Sequence, residues 1–140
     1  MNVKVKLLRK YAKQPMKATN GSAGWDVYAS ESHKIPAKGW KKISLGIALE
    51  MPLHLCALLV KRSGMAAKQG VCGQEGLIDS DYRGEIGMTI KNNGDREYIV
   101  QAGDRIGQLL FLPNIQVQVQ VVGSLQNTSR GTQGFGSTGR

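Results

Sequence analysis

Three stretches of the chain carry side chains whose types and spacing suit work on a phosphorylated ligand. The first is RGTQGFGSTG at residues 130–139. Its glycines let backbone N–H groups converge on an anion, Ser137 and Thr138 add hydroxyl donors, and Arg130 offers a two-pronged guanidinium. Phe135 lies among them with no core to fill, which suits stacking on a planar ligand. Gly134, Gly136 and Gly139 formally satisfy the GxGxxG pattern of dinucleotide-binding folds, but that pattern needs a preceding strand and a helix opening at its third glycine, a context this small-residue stretch does not provide.

The second stretch is KRSG at 61–64, which follows an apolar run and opens the one locally helical segment, GMAAKQ at 64–69. Unpaired amides at a helix start, with Arg62 and Ser63 beside them and Gly64 leaving room, make an anion site; a plain helix start is the alternative. The third is GLIDSDYRGEIGM at 76–88, two carboxylates and a tyrosine around a turn expected at residues 80–83. On a strand Asp79 and Asp81 would share a face, whereas the turn separates them. One is then a candidate general base for water and the other a turn former, with two turn residues as the alternative. A splayed hairpin here also offers backbone donors and acceptors to a flat base, and the uracil edge reads acceptor, donor, acceptor. A buried backbone group left unpaired by the wrong base costs about 1–3 kcal/mol, so two or three contacts select strongly.

The elements that must position these groups are strands. Apolar residues alternate with polar ones at 3–7, and short β-prone runs recur at 43–49, 53–60, 86–90, 98–100, 106–112 and 115–122, separated by turn formers. This spacing predicts an all-β barrel or sandwich with one short helix. The last run sets Ile115, Val117, Val119 and Val121 on one face and three glutamines on the other, an uncharged strand that must be paired or covered, with another subunit as one cover. Residues 1–125 thus read as one β domain and residues 126–140 as a mobile glycine-rich arm.

Composition excludes several classes. At 140 residues the chain supports one core and no second catalytic domain. His33 and His54 form no ligand pair, and Cys56 and Cys72 read as ordinary reduced thiols. No apolar run approaches the ~20 residues of a membrane span, and lysines stud the N-terminus where a signal peptide needs an apolar stretch, which predicts an intracellular protein. Of the net charge of +9, residues 1–42 carry +8, ten Lys or Arg against Asp26 and Glu31. That basic segment reads as a solvated face, with a weak polyanion contact as the alternative.

Taken in order, AGWDVYAS at 23–30, KRSGMA at 61–66, GLIDSDYRGEI at 76–86, GDRIGQLLF at 103–111 and RGTQGFGSTG at 130–139 closely resemble the five motifs of the trimeric dUTP nucleotidohydrolases, or dUTPases. The resemblance implies a distorted jelly-roll β fold, a homotrimer with active sites shared at its interfaces, and Mg²⁺-dependent hydrolysis of dUTP to dUMP and pyrophosphate. By position, Asp79 becomes the general base and Tyr82 lies against the deoxyribose. The backbone of Gly76, Leu77 and Ile78, with Gly87 on the return, holds the uracil edge. Arg62, Ser63 and Gly64 grip phosphates, and Gln108 and Asp26 orient phosphate or the waters of the magnesium. Arg130 reaches the γ-phosphate, Phe135 stacks on the base, and Gly136, Ser137 and Thr138 cradle the phosphates. Lys61, Gly107, Trp25 and Gln133 stand where the family usually has proline, alanine, tyrosine or phenylalanine, and glycine, and Glu75 adds a negative charge near the expected base slot. Two other classes share the fold: an interaction module working through the basic N-terminal segment, and a dCTP deaminase.

Overall fold

A computed structural model describes residues 2–62, 64–65 and 70–134. Eleven strands are described: β1 Lys4–Leu7, β2 Trp25–Tyr28, β3 His33–Ile35, β4 Trp40–Ser44, β5 Ile47–Glu50, β6 Leu55–Val60, β7 Val71–Gly73, β8 Gly76–Ile78, β9 Gly87–Asn92, β10 Tyr98–Val100 and β11 Arg105–Pro113. They form four small antiparallel sheets in the orders β2-β11-β6-β8, β4-β9-β7, β1-β5 and β10-β3. The sheets wrap one core in a distorted barrel-like arrangement, as the short alternating runs predict. In β6 the period of two sends Leu55, Ala57 and Leu59 inward, and in β9 it buries Met88, Ile90 and Asn92. Each fully buried side chain such as Ile35, Ile43 or Ile90 is worth about 1.5–3 kcal/mol. Buried Asn92 satisfies the loop that follows it: its amide donates to the carbonyls of Ile35, Pro36 and Arg96 at 2.8 to 3.2 Å and its oxygen accepts from Gly94 N–H.

The expected single strand at 43–49 is two strands in different sheets. β4 pairs with β9 and β5 with β1, and the chain crosses between them at Gly46, whose φ of +67° lies in the left-handed region. A Cβ there would sit 2.8 Å from the Cβ atoms of both Ala12 and Ser30. The N-terminal segment is docked on this crossover, because Leu8 N–H donates to the Gly46 carbonyl at 2.7 Å. β1 itself forms where the alternation predicts it, but its Val5 and Leu7 face solvent in the single chain. No strand forms at 115–122, and Val119 and Val121 are 92% and 96% exposed. An isolated alternating run has no ladder partner in one chain, so pattern alone does not make it a strand. Short β2, β3, β7 and β8 carry too few residues for a period of two to stand out, and pairing supplies what their sequences lack. Gly64 and Met65 are helical; residues 66–69 of the expected helical stretch lie outside the described residues.

Much of the N-terminal charge is engaged within the chain. Lys4 meets Glu50, Lys34 meets Glu97 and Lys38 meets Asp95 at 2.6 to 3.5 Å, while Lys10, Lys13 and Lys17 lie over the rings of Tyr11, Tyr28 and Trp25. Among the described residues no helix is long and apolar enough to cross a membrane. Gly46→Ala combines left-handed strain with overpacking against Ala12 and Ser30, and the expected loss is about 2–4 kcal/mol. Denaturant titration should show a lower midpoint at unchanged slope, and a shift below a quarter of that would remove Gly46 as the crossover constraint.

Candidate active site

Antiparallel pairing decides where the acidic turn opens. β8 pairs with β6, Gly76 opposite Leu59 and Ile78 opposite Ala57, whereas β9 pairs with β4 and β7, Gly87 opposite Ser44. The two arms around Asp79 therefore belong to different sheets and do not pair with each other, the splayed arrangement expected of this turn. Between them lies a slot of about 210 Å³ lined by Gly76, Leu77, Ile78, Asp79, Tyr82 and Gly87, with Lys42, Leu59, Glu85 and Ile86 completing the wall. The turn closes one residue earlier than expected, with Tyr82 N–H donating to Asp79 O at 3.2 Å. Arg83 braces it by donating from Nη1 to the Ser80 carbonyl at 2.7 Å. Ser80 is buried, whereas Asp79 and Asp81 are exposed, so either carboxylate is open to water. Only Asp79 lines the slot. The Tyr82 hydroxyl donates to Glu85 O at 3.2 Å, and the ring lies over Gly84, where a Cβ would come within 2.3 Å of Tyr82 Oη.

A second group forms on the four-stranded sheet. The register aligns Asp26, Gln108 and Val60 in one row across β2, β11 and β6. Asp26 is 4% exposed, and its carboxylate accepts from Gln108 Nε2 at 3.1 Å and Arg105 Nη1 at 3.3 Å, with Arg62 Nε at 3.8 Å. Arg62 also donates to the Arg105 carbonyl at 3.0 Å. A buried carboxylate needs such partners, and here it orients the two side chains expected to face phosphates. Arg105 was not singled out by spacing, although it stands inside GDRIGQ; its strand register is what sets it against Asp26. Among the described residues no three His, Cys, Asp or Glu come together as a metal cage. One carboxylate and one amide fit an ion held mainly by substrate phosphates and reached through water.

These two groups do not meet within one chain. Asp79 leaves β8 one residue past the Ile78–Ala57 pair, while Arg62 leaves the opposite end of β6, two residues past Val60. At ~3.3 Å per residue the separation along the strands is on the order of 15–20 Å. Gly64 has open space around its Cα. Arg130 sits in an exposed double turn in which Gly131 N–H donates to Thr128 O and Arg130 Nε to Gln133 O. Ser63, Phe135, Gly136, Ser137 and Thr138 lie outside the described residues. Gly107 has a packing reason: a Cβ would meet Met88 Sδ at 2.6 Å, so the methionine fills the space an alanine methyl would take. Glu75 is exposed and is not among the slot residues.

Sequence reading also missed the residues behind the slot. Arg9 donates to Glu85 through Nε at 2.5 Å and Nη2 at 2.9 Å, and Ser44 Oγ donates to Glu85 Oε1 at 2.7 Å. Seventy-six positions separate Arg9 from Glu85, and no local signal links them. The Arg9 contact, then Ser44, holds the Glu85 carboxyl at about 2, and the His33 imidazole, with Nε2 2.9 Å from Glu31 Oε1, lowers that of Glu31. A carboxyl lowered in the folded state stabilises it above the unfolded value, and that contribution disappears as pH falls from about 4.5 toward 2. Denaturation at stepped pH should therefore show stability declining across this acid window, with a shallower decline in Glu85→Gln; equal slopes would contradict the pairing.

Known proteins share the fold and the sequence family. The profile of the dUTPase family matches residues 10–139. The deoxyuridine 5'-triphosphate nucleotidohydrolase of Paramecium bursaria Chlorella virus 1 is 42% identical over 135 residues, covering 96% of each chain. That of Saccharomyces cerevisiae is 36% identical over 138 residues, covering 98% of this chain and 94% of its own. The solved structure of Staphylococcus bacteriophage 80alpha dUTPase with dUPNHPP superposes with a TM-score of 0.93 at 27% identity, covering 99% of both chains. With a near full-length profile match, relatives of this identity and the same β fold, the chain belongs to the dUTPase family.

Proposed function

We propose that this protein hydrolyses dUTP to dUMP and pyrophosphate with Mg²⁺, acting inside the cell to limit uracil incorporation into DNA and to supply dUMP for thymidylate synthesis. The observation that carries the reading is the slot in which backbone edges, Tyr82 and Asp79 converge. Gly76, Leu77, Ile78 and Gly87 pair with the uracil edge and leave no room for the thymine methyl. Tyr82 packs on the deoxyribose and excludes a 2′-hydroxyl.

Asp79 removes a proton from water as the water oxygen attacks the α-phosphorus; the bond from that phosphorus to the bridging oxygen breaks and pyrophosphate leaves. Magnesium, when bound, neutralises charge on the triphosphate. Asp26 and Gln108 orient its waters, and Arg62, Ser63 and Gly64 hold the phosphates. The arm closes last, with Arg130 on the γ-phosphate, Phe135 on the base, and Gly136, Ser137 and Thr138 around the phosphates.

The same reading makes the protein a homotrimer with shared sites. Its support is the separation of Asp79 from Arg62 along β6, too far for one α-phosphate to touch both, so that each site takes the acidic turn from one subunit and the phosphate group from another. The exposed Ile and Val residues at 115–122 fit a segment covered by a neighbouring subunit.

A nucleotide panel with Mg²⁺ tests the activity: pyrophosphate should appear from dUTP and far less from dCTP, dTTP or UTP, and silence on dUTP would sink the proposal. Asp79→Asn should bind dUTP yet lose turnover by about three orders of magnitude or more. Half the wild-type rate in that variant would remove Asp79 from the base role. Deleting residues 130–140 should cripple turnover while the trimer persists by light scattering; full activity after truncation would refute the closing arm.

A further inference from the structure

The wall of the slot is only partly built by the acidic turn. Glu85 lines the slot and accepts the Tyr82 hydroxyl through its backbone carbonyl, while its carboxylate is gripped from outside the turn by Arg9 and Ser44. Arg83 braces the turn before it on the Ser80 carbonyl, and Ile86 after it donates to Ile47 O and accepts from Leu45 N–H, so Glu85 lies between two fixed points. Gly84 carries no side chain, and the Tyr82 ring leans on its bare Cα, so the position of the Glu85 carbonyl depends on where its carboxylate is tied. The tie is a fork: two guanidinium nitrogens meet two carboxylate oxygens, a planar geometry that fixes orientation as well as distance.

Arg9 is held in its turn. Leu8 N–H donates to Gly46 O at 2.7 Å on one side, and Ala12 N–H donates to Arg9 O at 3.1 Å on the other. Its remaining nitrogen, Nη1, donates to Glu31 Oε2 at 3.0 Å, and Glu31 lies 2.9 Å from His33 Nε2. A second cavity of about 250 Å³, lined by Arg9, Glu31 and Ser44, shares Lys42, Glu85, Ile86 and Gly87 with the slot. The ion pair therefore lies against the back of the wall that faces the base.

We infer that Arg9 is a positioning residue of the uracil slot: acting through the Glu85 carboxylate it fixes Glu85 and, through the Glu85 carbonyl, the Tyr82 ring, and so sets both affinity for deoxyuridine and rejection of the ribonucleotide. The inference rests on the dUTP-hydrolase reading above. Removing the guanidinium has two effects in the same direction. The loop loses one anchor, and the Glu85 carboxylate behind the slot wall is left with Ser44 Oγ as its hydrogen-bond donor and Lys42 as its nearby cation. Neither effect touches the water, Asp79 or the phosphates, so the loss falls on binding and not on the chemical step.

The test is steady-state kinetics of the full chain with dUTP and UTP for wild type, Arg9→Met, Arg9→Lys, Glu85→Gln and the Arg9→Met/Glu85→Gln double variant. Arg9→Met should raise KM for dUTP by about five- to tenfold with kcat within about twofold, and should narrow the dUTP over UTP preference several-fold. Arg9→Lys should recover most of the lost KM, because a point charge still reaches Glu85. The double variant should be no worse than the weaker single one, the signature of one shared interaction. The inference is overturned if Arg9→Met keeps the wild-type KM and preference, if kcat falls while KM stays, or if the two substitutions add. Should Arg9→Met not accumulate as folded protein, Glu85→Gln, which keeps the side-chain shape, carries the same test, and an unchanged KM there overturns it. Wild type inert toward dUTP would instead sink the hydrolase reading, an outcome no Arg9 variant can mimic.

Discussion

The backbone of β8 gives its hydrogen bonds to β6, and that of β9 gives them to β4 and β7, so the two arms around Asp79 face each other without pairing. Backbone N–H and C=O groups must find partners when buried, and a paired hairpin would leave none for a ligand. β8 is paired with β6 alone, and at Gly87 β9 is paired with β4 alone because β7 joins it only from Ile90, so each arm keeps one edge open where it borders the slot. The slot, the aim of Tyr82 and the presentation of Asp79 all follow from that division, as does the need for something outside the turn to hold its return at Glu85.

Two carboxylates illustrate how environment divides labour. Asp26 is buried and surrounded by Gln108, Arg105 and Arg62, which ties it to orienting its neighbours. Asp79 is exposed at the mouth of the slot, where it can reach water. The opposite placements are local: Asp26 lies within edge strand β2, bridged to Met16 on one side and paired with Gln108 of β11 on the other, whereas Asp79 follows the last residue of the opposite edge strand β8. The positive charge of the N-terminal segment is handled in the same local way. It meets carboxylates at Glu50, Glu85, Glu31, Glu97 and Asp95 and aromatic rings at Tyr11, Tyr28 and Trp25, so that its excess serves docking of the segment before any outside partner.

The amino-acid sequence alone determined the all-β class, most of the longer strands and the order of the five motifs, because periods of two and turn-forming residues are local properties. It also singled out Asp79, Tyr82 and Arg62 by type and neighbourhood, and Gln108 and Asp26 through the resemblance of their motifs. It could not divide residues 43–49 into two strands, since the reason is the steric fit of Gly46 between Ala12 and Ser30. Nor could it show that the alternating run at 115–122 stays unpaired in one chain, because a strand needs a partner as well as a pattern. Only the tertiary structure set Arg105 against Asp26, put Arg9 on Glu85, and placed Asp79 and Arg62 at opposite ends of β6. The physical reason is common to all of these: they are contacts between residues far apart in the chain, fixed by strand register and side-chain packing, and register is a property of the paired strands and not of either strand alone.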